Sequence, residues 1–281
     1  MLTQIKVFNP WNQANKEIQL DNVHRILRRY GWRGRVRSLA LFQQCCVHKS
    51  YVDRPDLWAE QSETGKPMPM AERPEGCLPL RPADNEELEY LGDSILGCIV
   101  ATYLVRRYPG MGEGFHTRMR TRLVNNKKLG ALAADANLGP WIIMSRHVEE
   151  VCDGRKNLRM LGSALEAWIG ALYSQEEEPG RGFQVCYDWI TKLLETHIDF
   201  AQLIHEDTNY KDQLLRLFQA KYHIPPKYVE VAVEGPPHDR IFTMGVVDPT
   251  GKVLAHATSR NIKEAEQEAS RLALALMDAT N

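Results

Sequence analysis

The chain has 281 residues, of which 43% are hydrophobic, and this is enough material for two compact domains with separate cores. Its formal net charge is −1, so overall charge favours no class of partner, and any nucleic-acid contact must come from a local basic face. The six cysteines form no CxxC pair, which argues against zinc or disulfides and predicts free thiols in a reducing compartment. Without an apolar leader or an apolar run long enough to cross a bilayer, the chain is expected to be soluble, intracellular and cytoplasmic, with no membrane partner.

Helical spacing of apolar residues begins in the segment 20–51, where Gly31 and Gly34 interrupt it. The segment 53–84 is rich in proline and has little periodicity, so it is predicted to be a long loop or insertion. One long helix is then predicted over residues 85–108, because apolar residues recur along it at helical spacing and Pro109-Gly110 ends it.

After a loop over residues 111–115, Thr117 is predicted to cap a helix that runs on to Leu129. Two further helices are predicted over residues 158–174 and 183–197. Since no strand pattern occurs before about residue 228, the first 200 residues are predicted to be all-α.

The C-terminal part has a different pattern. A helix over residues 210–222 is followed by three strand patterns, at 228–233, 241–247 and 253–258, and by an alanine-rich helix at 262–277. The order α-β-β-β-α predicts a small α+β domain. We therefore expect two domains, at residues 1–200 and 206–281, with the loop insertion of 53–84 inside the first.

The long predicted helix opens with a group of carboxylates. Glu86, Glu89 and Asp93 have i,i+3 and i,i+4 spacings, which place them on one face, where like charges repel. A divalent cation such as Mg²⁺ would neutralise them, although a solvated acidic face favoured by the helix dipole explains the same spacing. Gly92 costs helix stability and indicates that another segment approaches closely there. Glu166, alone in an apolar helix, would share the cation.

Between these helices lies a polar and basic stretch. Glu113 would extend the acidic site. Arg118 and Arg122 share a helical face and would either contact RNA phosphates or form ordinary surface ion pairs.

The residues 85–94, NEELEYLGDS, closely resemble the signature of the ribonuclease III family. Residues 48–51, 113–124 and 164–173 resemble its neighbouring blocks in the expected order, and the C-terminal part resembles its double-stranded-RNA-binding domain. Residues 77–80 and 142–157 are most similar to forms of the enzyme from large DNA viruses of eukaryotes.

The resemblance implies an all-α endonuclease domain followed by an α+β RNA-binding domain, in a homodimer whose signature helices pack across the two-fold axis. It implies that Mg²⁺, or Mn²⁺ in its place, activates water to cut double-stranded RNA. Glu89, Asp93 and Glu166 match family metal and catalytic positions, and Glu86 and Glu113 match accessory acidic positions. Ser163 stands where the family has an aspartate ligand, so weaker metal binding and slower turnover are expected.

In the C-terminal domain the resemblance implies RNA contacts from the first helix, the first inter-strand loop and the start of the last helix. The matching residues are Gln213, Arg216, His238, Arg240, Arg260 and Lys263. From residue 206 to 281 there are nine Lys and Arg against eleven Asp and Glu, so duplex binding by this domain alone is expected to be weak and salt-sensitive.

Three functions follow from this sequence. The first is a metal-dependent endoribonuclease that cleaves double-stranded RNA. The second is a duplex-binding protein with a weak or inactive site, which Ser163 favours and the remaining carboxylates oppose. The third is a structural protein of a ribosome or virus particle, with the proline-rich insertion as a docking segment.

Overall fold

The structure is a computed structural model that describes residues 7–54, 69–205, 209–236 and 240–278. The chain divides into two compact units, Met1–Phe200 and Ala201–Asn281. The first unit contains eight described α-helices and two short 3₁₀ helices, Lys49–Tyr51 and Gly139–Trp141. The α-helices are α1 (Leu20–Arg29), α2 (Leu39–Gln44), α3 (Glu86–Arg107), α4 (Glu113–Leu123), α5 (Asn126–Asp135), α6 (Arg146–Val151), α7 (Leu158–Tyr173) and α8 (Pro179–His197). A ninth, α9 (Phe200–His205), begins at the boundary between the units.

The predicted all-α character of the first 200 residues is confirmed. Among the described residues of that part, β-type pairing is limited to three isolated bridges, Phe8 with Met70, Val47 with Ile143, and Val52 with Arg81. The predicted long helix is α3, within one residue of the expected bounds at both ends.

The helix predicted to begin at Thr117 and to run to Leu129 is wrong in both bounds. α4 begins at Glu113, directly after Gly112, whose φ of 81° is not helical and therefore sets the start of the helix. Thr117 lies inside α4 and donates its hydroxyl hydrogen to Glu113 Oε1 at 2.8 Å. The chain then restarts as α5, because the Asn125 side chain accepts a hydrogen bond from the Lys128 amide and caps the new helix.

The core of the first unit is built on α7, which packs against both α3 and α5. Glycines allow this packing: a Cβ added to Gly92 of α3 would overlap the carbonyl oxygen of Glu166 in α7, and one at Gly170 would overlap that of Leu88. The close approach that Gly92 predicts is thus confirmed. A Cβ at Gly130 of α5 would similarly overlap the backbone of Leu158.

Part of the proline-rich segment packs onto this core. Tyr51 donates its phenol hydrogen to the Leu78 carbonyl at 2.8 Å, and the Asp53 amide donates to the Arg81 carbonyl at 2.9 Å. Cys77 is buried beside Trp11. Residues 55–68 of the predicted loop lie outside the described residues.

Among the described residues, one helix, α3, is long and apolar enough to cross a membrane, judged by length and composition alone. Its apolar residues Leu96, Ile99, Val100 and Leu104 are buried in the first unit, as in the core helix of a protein domain.

The second unit has the predicted order α-β-β-β-α. α10 (Tyr210–Tyr222) precedes the strands β1 (Lys227–Glu234), β2 (Ile241–Val247) and β3 (Val253–Ser259), and α11 (Ile262–Asp278) follows them. The strands form one antiparallel sheet in the order β1-β2-β3. The two helices pack on it through a small core that includes Leu214, Phe218, Val246, Ala269 and Ala273.

Candidate metal centre and RNA-binding residues

Four of the carboxylates predicted from the sequence line one open cavity of about 500 Å³. It is lined by Glu86, Glu89, Tyr90, Asp93, Val124, Asn126 and Glu166. The first four come from α3, Val124 and Asn126 from the α4–α5 junction, and Glu166 from α7. Because α3 and α7 touch at Gly92, the carboxylates on either side of this crossing face the same space.

Glu166 is the buried member of this group, with 9% of its surface exposed. Its pKa is raised to about 7, first because burial disfavours the charged form and then because Asp93 and Glu89 add negative potential. Among the described residues, no hydrogen bond or ion pair reaches the side chains of Glu89, Asp93 or Glu166. Glu86 differs, because Lys49 Nζ lies 2.9 Å from its Oε1.

The donor set of this cavity fits a hard divalent cation. Carboxylate oxygens are the ligands that Mg²⁺ and Mn²⁺ prefer, and a cation would supply the partner that three of these side chains lack. As the side chains stand, no three Asp, Glu, His or Cys residues within the described ranges converge closely enough to hold a metal. The fit therefore rests on the oxygen chemistry of these side chains and on the cavity that they share.

Ser163, at the position of the family aspartate, lies one turn before Glu166 on α7 and is half-buried. It is not among the described residues that line the cavity. Asn126, to which no sequence pattern points, does line it. Asparagine is common at the start of helices, so its occurrence at the start of α5 indicates nothing about the cavity.

Glu113 does not line this cavity. It lines a second cavity, of about 560 Å³, together with Ala101 and Val105 of α3. Arg118 and Arg122 lie half-buried on α4.

The described members of the expected RNA-contacting set lie on α10, next to the first inter-strand loop, and at or just before the start of α11. Gln213 and Arg216 lie on α10, where the Arg216 guanidinium is 2.6 Å from Asp212 Oδ2, so part of its charge is neutralised. Exposed residues at the other predicted positions are Arg240, Arg260 and Lys263. His238 lies outside the described residues.

Comparison with known proteins agrees with this architecture. The family described as Ribonuclease III domain matches residues 86–177, and the Double-stranded RNA binding motif matches residues 210–277. The chain is an endoribonuclease-type protein with an appended duplex-RNA-binding domain. It belongs to the ribonuclease III family, and the resemblance seen in the sequence is confirmed.

Two relatives illustrate the match. A ribonuclease 3 from Syntrophobacter fumaroxidans is 35% identical over 200 residues, which are 70% of this chain and 80% of that protein. A probable ribonuclease 3 from Acanthamoeba polyphaga mimivirus is 30% identical over 269 residues, 95% of this chain, but the match spans only 46% of the viral protein's length. Among solved structures, the nuclease domain of Campylobacter jejuni ribonuclease III aligns with a TM-score of 0.48 at 24% identity, covering 64% of this chain and 99% of that domain.

Proposed function

We propose that this chain hydrolyses phosphodiester bonds of double-stranded RNA at the cavity between α3 and α7, with Mg²⁺ as cofactor and Mn²⁺ as a substitute. Glu89, Asp93 and Glu166 would hold the cation. One observation carries the proposal: a buried glutamate, Glu166, faces two other carboxylates and has no cationic partner among the described residues. Such a charge group is costly unless a ligand neutralises it.

When bound, the divalent cation supplies Lewis-acid activation for hydrolysis of the phosphodiester. The protein's own residues position the carboxylates of the site. Gly92 and Gly170 hold α3 and α7 in contact, which fixes Glu166 opposite Asp93. The pKa of about 7 means that Glu166 is partly protonated near neutral pH, and a cation lowers this pKa by favouring the carboxylate. Lys49 holds Glu86 at the rim of the cavity.

Ser163 lowers the charge of the site by one relative to the family pattern. A hydroxyl is a neutral and weak ligand for Mg²⁺, so we expect weaker metal binding with cleavage retained, because Glu89, Asp93 and Glu166 remain.

We also propose that the chain acts as a homodimer through the outer face of α3. Tyr90 is 79% exposed and Val105 55% exposed on this helix, and Cys98 is exposed between them. Apolar side chains along one open helix face favour a partner helix. Glu113 lies beside Ala101 and Val105 near this face, and we retain it as an accessory residue of the dimeric enzyme.

For the RNA, we propose that Gln213, Arg216, His238, Arg240, Arg260 and Lys263 contact the duplex from a domain covering residues 206–281. Arg118 and Arg122 would contact it from the nuclease domain, residues 1–200. The division of the chain into two compact units, between Phe200 and Ala201 in the sequence, supports this proposal. Duplex RNA is recognised through phosphates and minor grooves, so these contacts give shape selectivity and little sequence selectivity.

The test is cleavage of end-labelled duplex RNA in Mg²⁺ and, separately, in Mn²⁺. Wild type and a Glu150→Gln control, changed at an exposed surface pair with Arg146, are expected to cut. Glu166→Gln is expected to bind the duplex without cutting it. If the wild type binds duplex RNA but does not cut it in either metal, and Ser163→Asp restores cutting, the metal centre of the wild type is inactive and the chain acts by binding alone.

A further inference from the structure

The strongest local concentration of positive charge lies far from the predicted RNA-binding residues in sequence. Residues 22–52 contain seven Lys and Arg and no Asp or Glu, in a chain whose net charge is −1. Six of the seven are arginines within residues 25–37, which we call the arginine segment. All six are exposed, on the second half of α1 and the loop that follows it. They are Arg25, Arg28, Arg29, Arg33, Arg35 and Arg37.

Half of these arginines have structural partners. Arg29 donates a hydrogen bond to the Asp135 carbonyl at 2.7 Å, and Arg33 donates one to the Arg28 carbonyl at 2.7 Å. Arg37 forms an ion pair with Glu177 at 3.2 Å. Arg29 and Arg33 therefore cap carbonyl groups at the ends of helices, and Arg37 links the loop to the segment after α7 by an ion pair.

Among the described residues, the other three arginines make no contacts of this kind. Within the described ranges, no carboxylate forms an ion pair with Arg25, Arg28 or Arg35. Arg25 and Arg28 are spaced i,i+3 on α1, where like charges destabilise a helix. The helix dipole favours cations in the last turn, which accounts for Arg28 and Arg29 but not for Arg25 or Arg35.

The location of the segment suits a long anionic ligand that also reaches the metal centre. Arg29 bonds to Asp135 at the last residue of α5, and Asn126 at the first residue of the same helix lines the acidic cavity. A ten-residue helix is about 15 Å long, so the two features lie within the length of one RNA duplex. A duplex engaged by a double-stranded-RNA-binding domain spans about 16 base pairs, which is longer than this separation.

The charge of the second unit supplies the reason for such a surface. That part of the chain, residues 206–281, has a net charge of −2, whereas phosphate contacts from Lys and Arg provide much of the affinity for nucleic acids. We propose that the arginine segment is a second phosphate-binding surface, located on the nuclease unit, through which Arg25, Arg28 and Arg35 hold the backbone of double-stranded RNA. This inference rests on the proposed function, because it takes the RNA duplex as the substrate.

The test measures duplex affinity of the full-length chain against salt concentration, with Glu166→Gln present in every variant to prevent cleavage. The triple variant Arg25→Gln, Arg28→Gln, Arg35→Gln is compared with a control that loses three exposed charges elsewhere on the nuclease unit. The control is Lys16→Gln, Arg73→Gln, Lys156→Gln. A third variant replaces the three arginines by lysine, which keeps the charge.

We expect the slope of log K against log salt to become shallower by about 2 to 3 in the arginine-to-glutamine variant, since each lost phosphate contact removes about 0.9. The control and the lysine variant should keep a slope within about 1 of the parent's. In chains with Glu166 intact, the same triple change should raise KM and leave kcat unchanged.

Equal slopes for the arginine-to-glutamine variant and the parent would overturn the inference. In that outcome the proposed function still stands, provided that the chain with Glu166 intact cuts duplex RNA. Failure of the proposed function has a different signature, because the chain with Glu166 intact would then cut no duplex in either metal.

Discussion

Replacing Gly92 with alanine tests how the two halves of the metal centre are held together. At the crossing of α3 and α7, an added Cβ would overlap the carbonyl oxygen of Glu166 and lie 2.9 Å from the amide nitrogen of Gly170. Both neighbours are backbone atoms in the middle of a helix, so neither can turn aside as a flexible side chain would. The helices must therefore separate.

Two opposing free energies decide the result. Alanine gains about 1 kcal/mol of helix propensity over glycine. Overpacking of a filled core costs about 1–3 kcal/mol, and backbone neighbours place this site at or above the upper end. The expected net loss in free energy of unfolding is thus about 2 kcal/mol. Separation of the helices also moves Glu166 away from Asp93, so cleavage should fall even where the variant stays folded.

Urea denaturation measures this loss, which should appear as a lower midpoint with an unchanged m value. Gly97→Ala is the control on the same helix, and Gly180→Ala is a control on α8, away from the proposed dimer face. Apart from the adjacent residues and the helix's own backbone, no heavy atom within the described part of the chain lies within 4 Å of a Cβ at either position, so both variants should be as stable as the wild type or more stable. A Gly92→Ala protein that unfolds at the same urea concentration as these controls and cuts RNA at the wild-type rate would refute the reasoning.

Three further predictions concern charge and packing. In metal-free buffer, Glu166 has a folded pKa of about 7, above its usual value of 4.5, so the wild type should lose stability as pH rises from about 4.5 to 7. Glu166→Gln should then be more stable than wild type by up to about 3 kcal/mol at pH 8 and equal to it at pH 4; the same pH profile in both proteins would contradict this. Ser163→Asp should tighten Mn²⁺ binding, measured by calorimetry, by about tenfold, and an unchanged Kd would show that this position does not reach the ion. Phe218→Ala, in the core of the second unit, should cost about 3–5 kcal/mol by denaturant unfolding, whereas a loss below 1 kcal/mol would indicate that the core refills the cavity.

The sequence predicted the elements that have long and regular patterns. The bounds of α3, α10 and the three strands agree with the structure within about one residue, because hydrophobic periodicity over seven or more residues records which face is buried. α6 was not predicted, since six residues give too short a repeat. Threonine is a good helix cap, so the sequence predicts a helix start at Thr117, whereas α4 begins at Glu113, directly after Gly112 with its positive φ.

The candidate site was predictable only as far as local spacing reaches. Glu86, Glu89 and Asp93 follow from one helix, and Gly92 predicted that another helix approaches. Spacing cannot say which distant residue fills the far side of the cavity. It therefore gives no indication of Asn126, and it groups Glu113 with carboxylates whose cavity Glu113 does not line. Those placements depend on how α4 and α5 turn at Asn125.

The electrostatics of the first unit argue for an enzyme more strongly than for a passive RNA-binding protein. An ionised Glu166 weakens the metal-free fold, and a glutamine of the same shape would remove this cost, so RNA binding alone gives no physical reason for the carboxylate. The carboxylates would also repel an approaching phosphate backbone. Cations at the cavity reduce that repulsion locally, and exposed arginines about one short helix away offset it at longer range. The proposed metal centre and the proposed phosphate-binding arginines are therefore complementary in charge, and removal of either should impair cleavage by a different kinetic route: loss of the carboxylates should lower kcat, and loss of the arginines should raise KM.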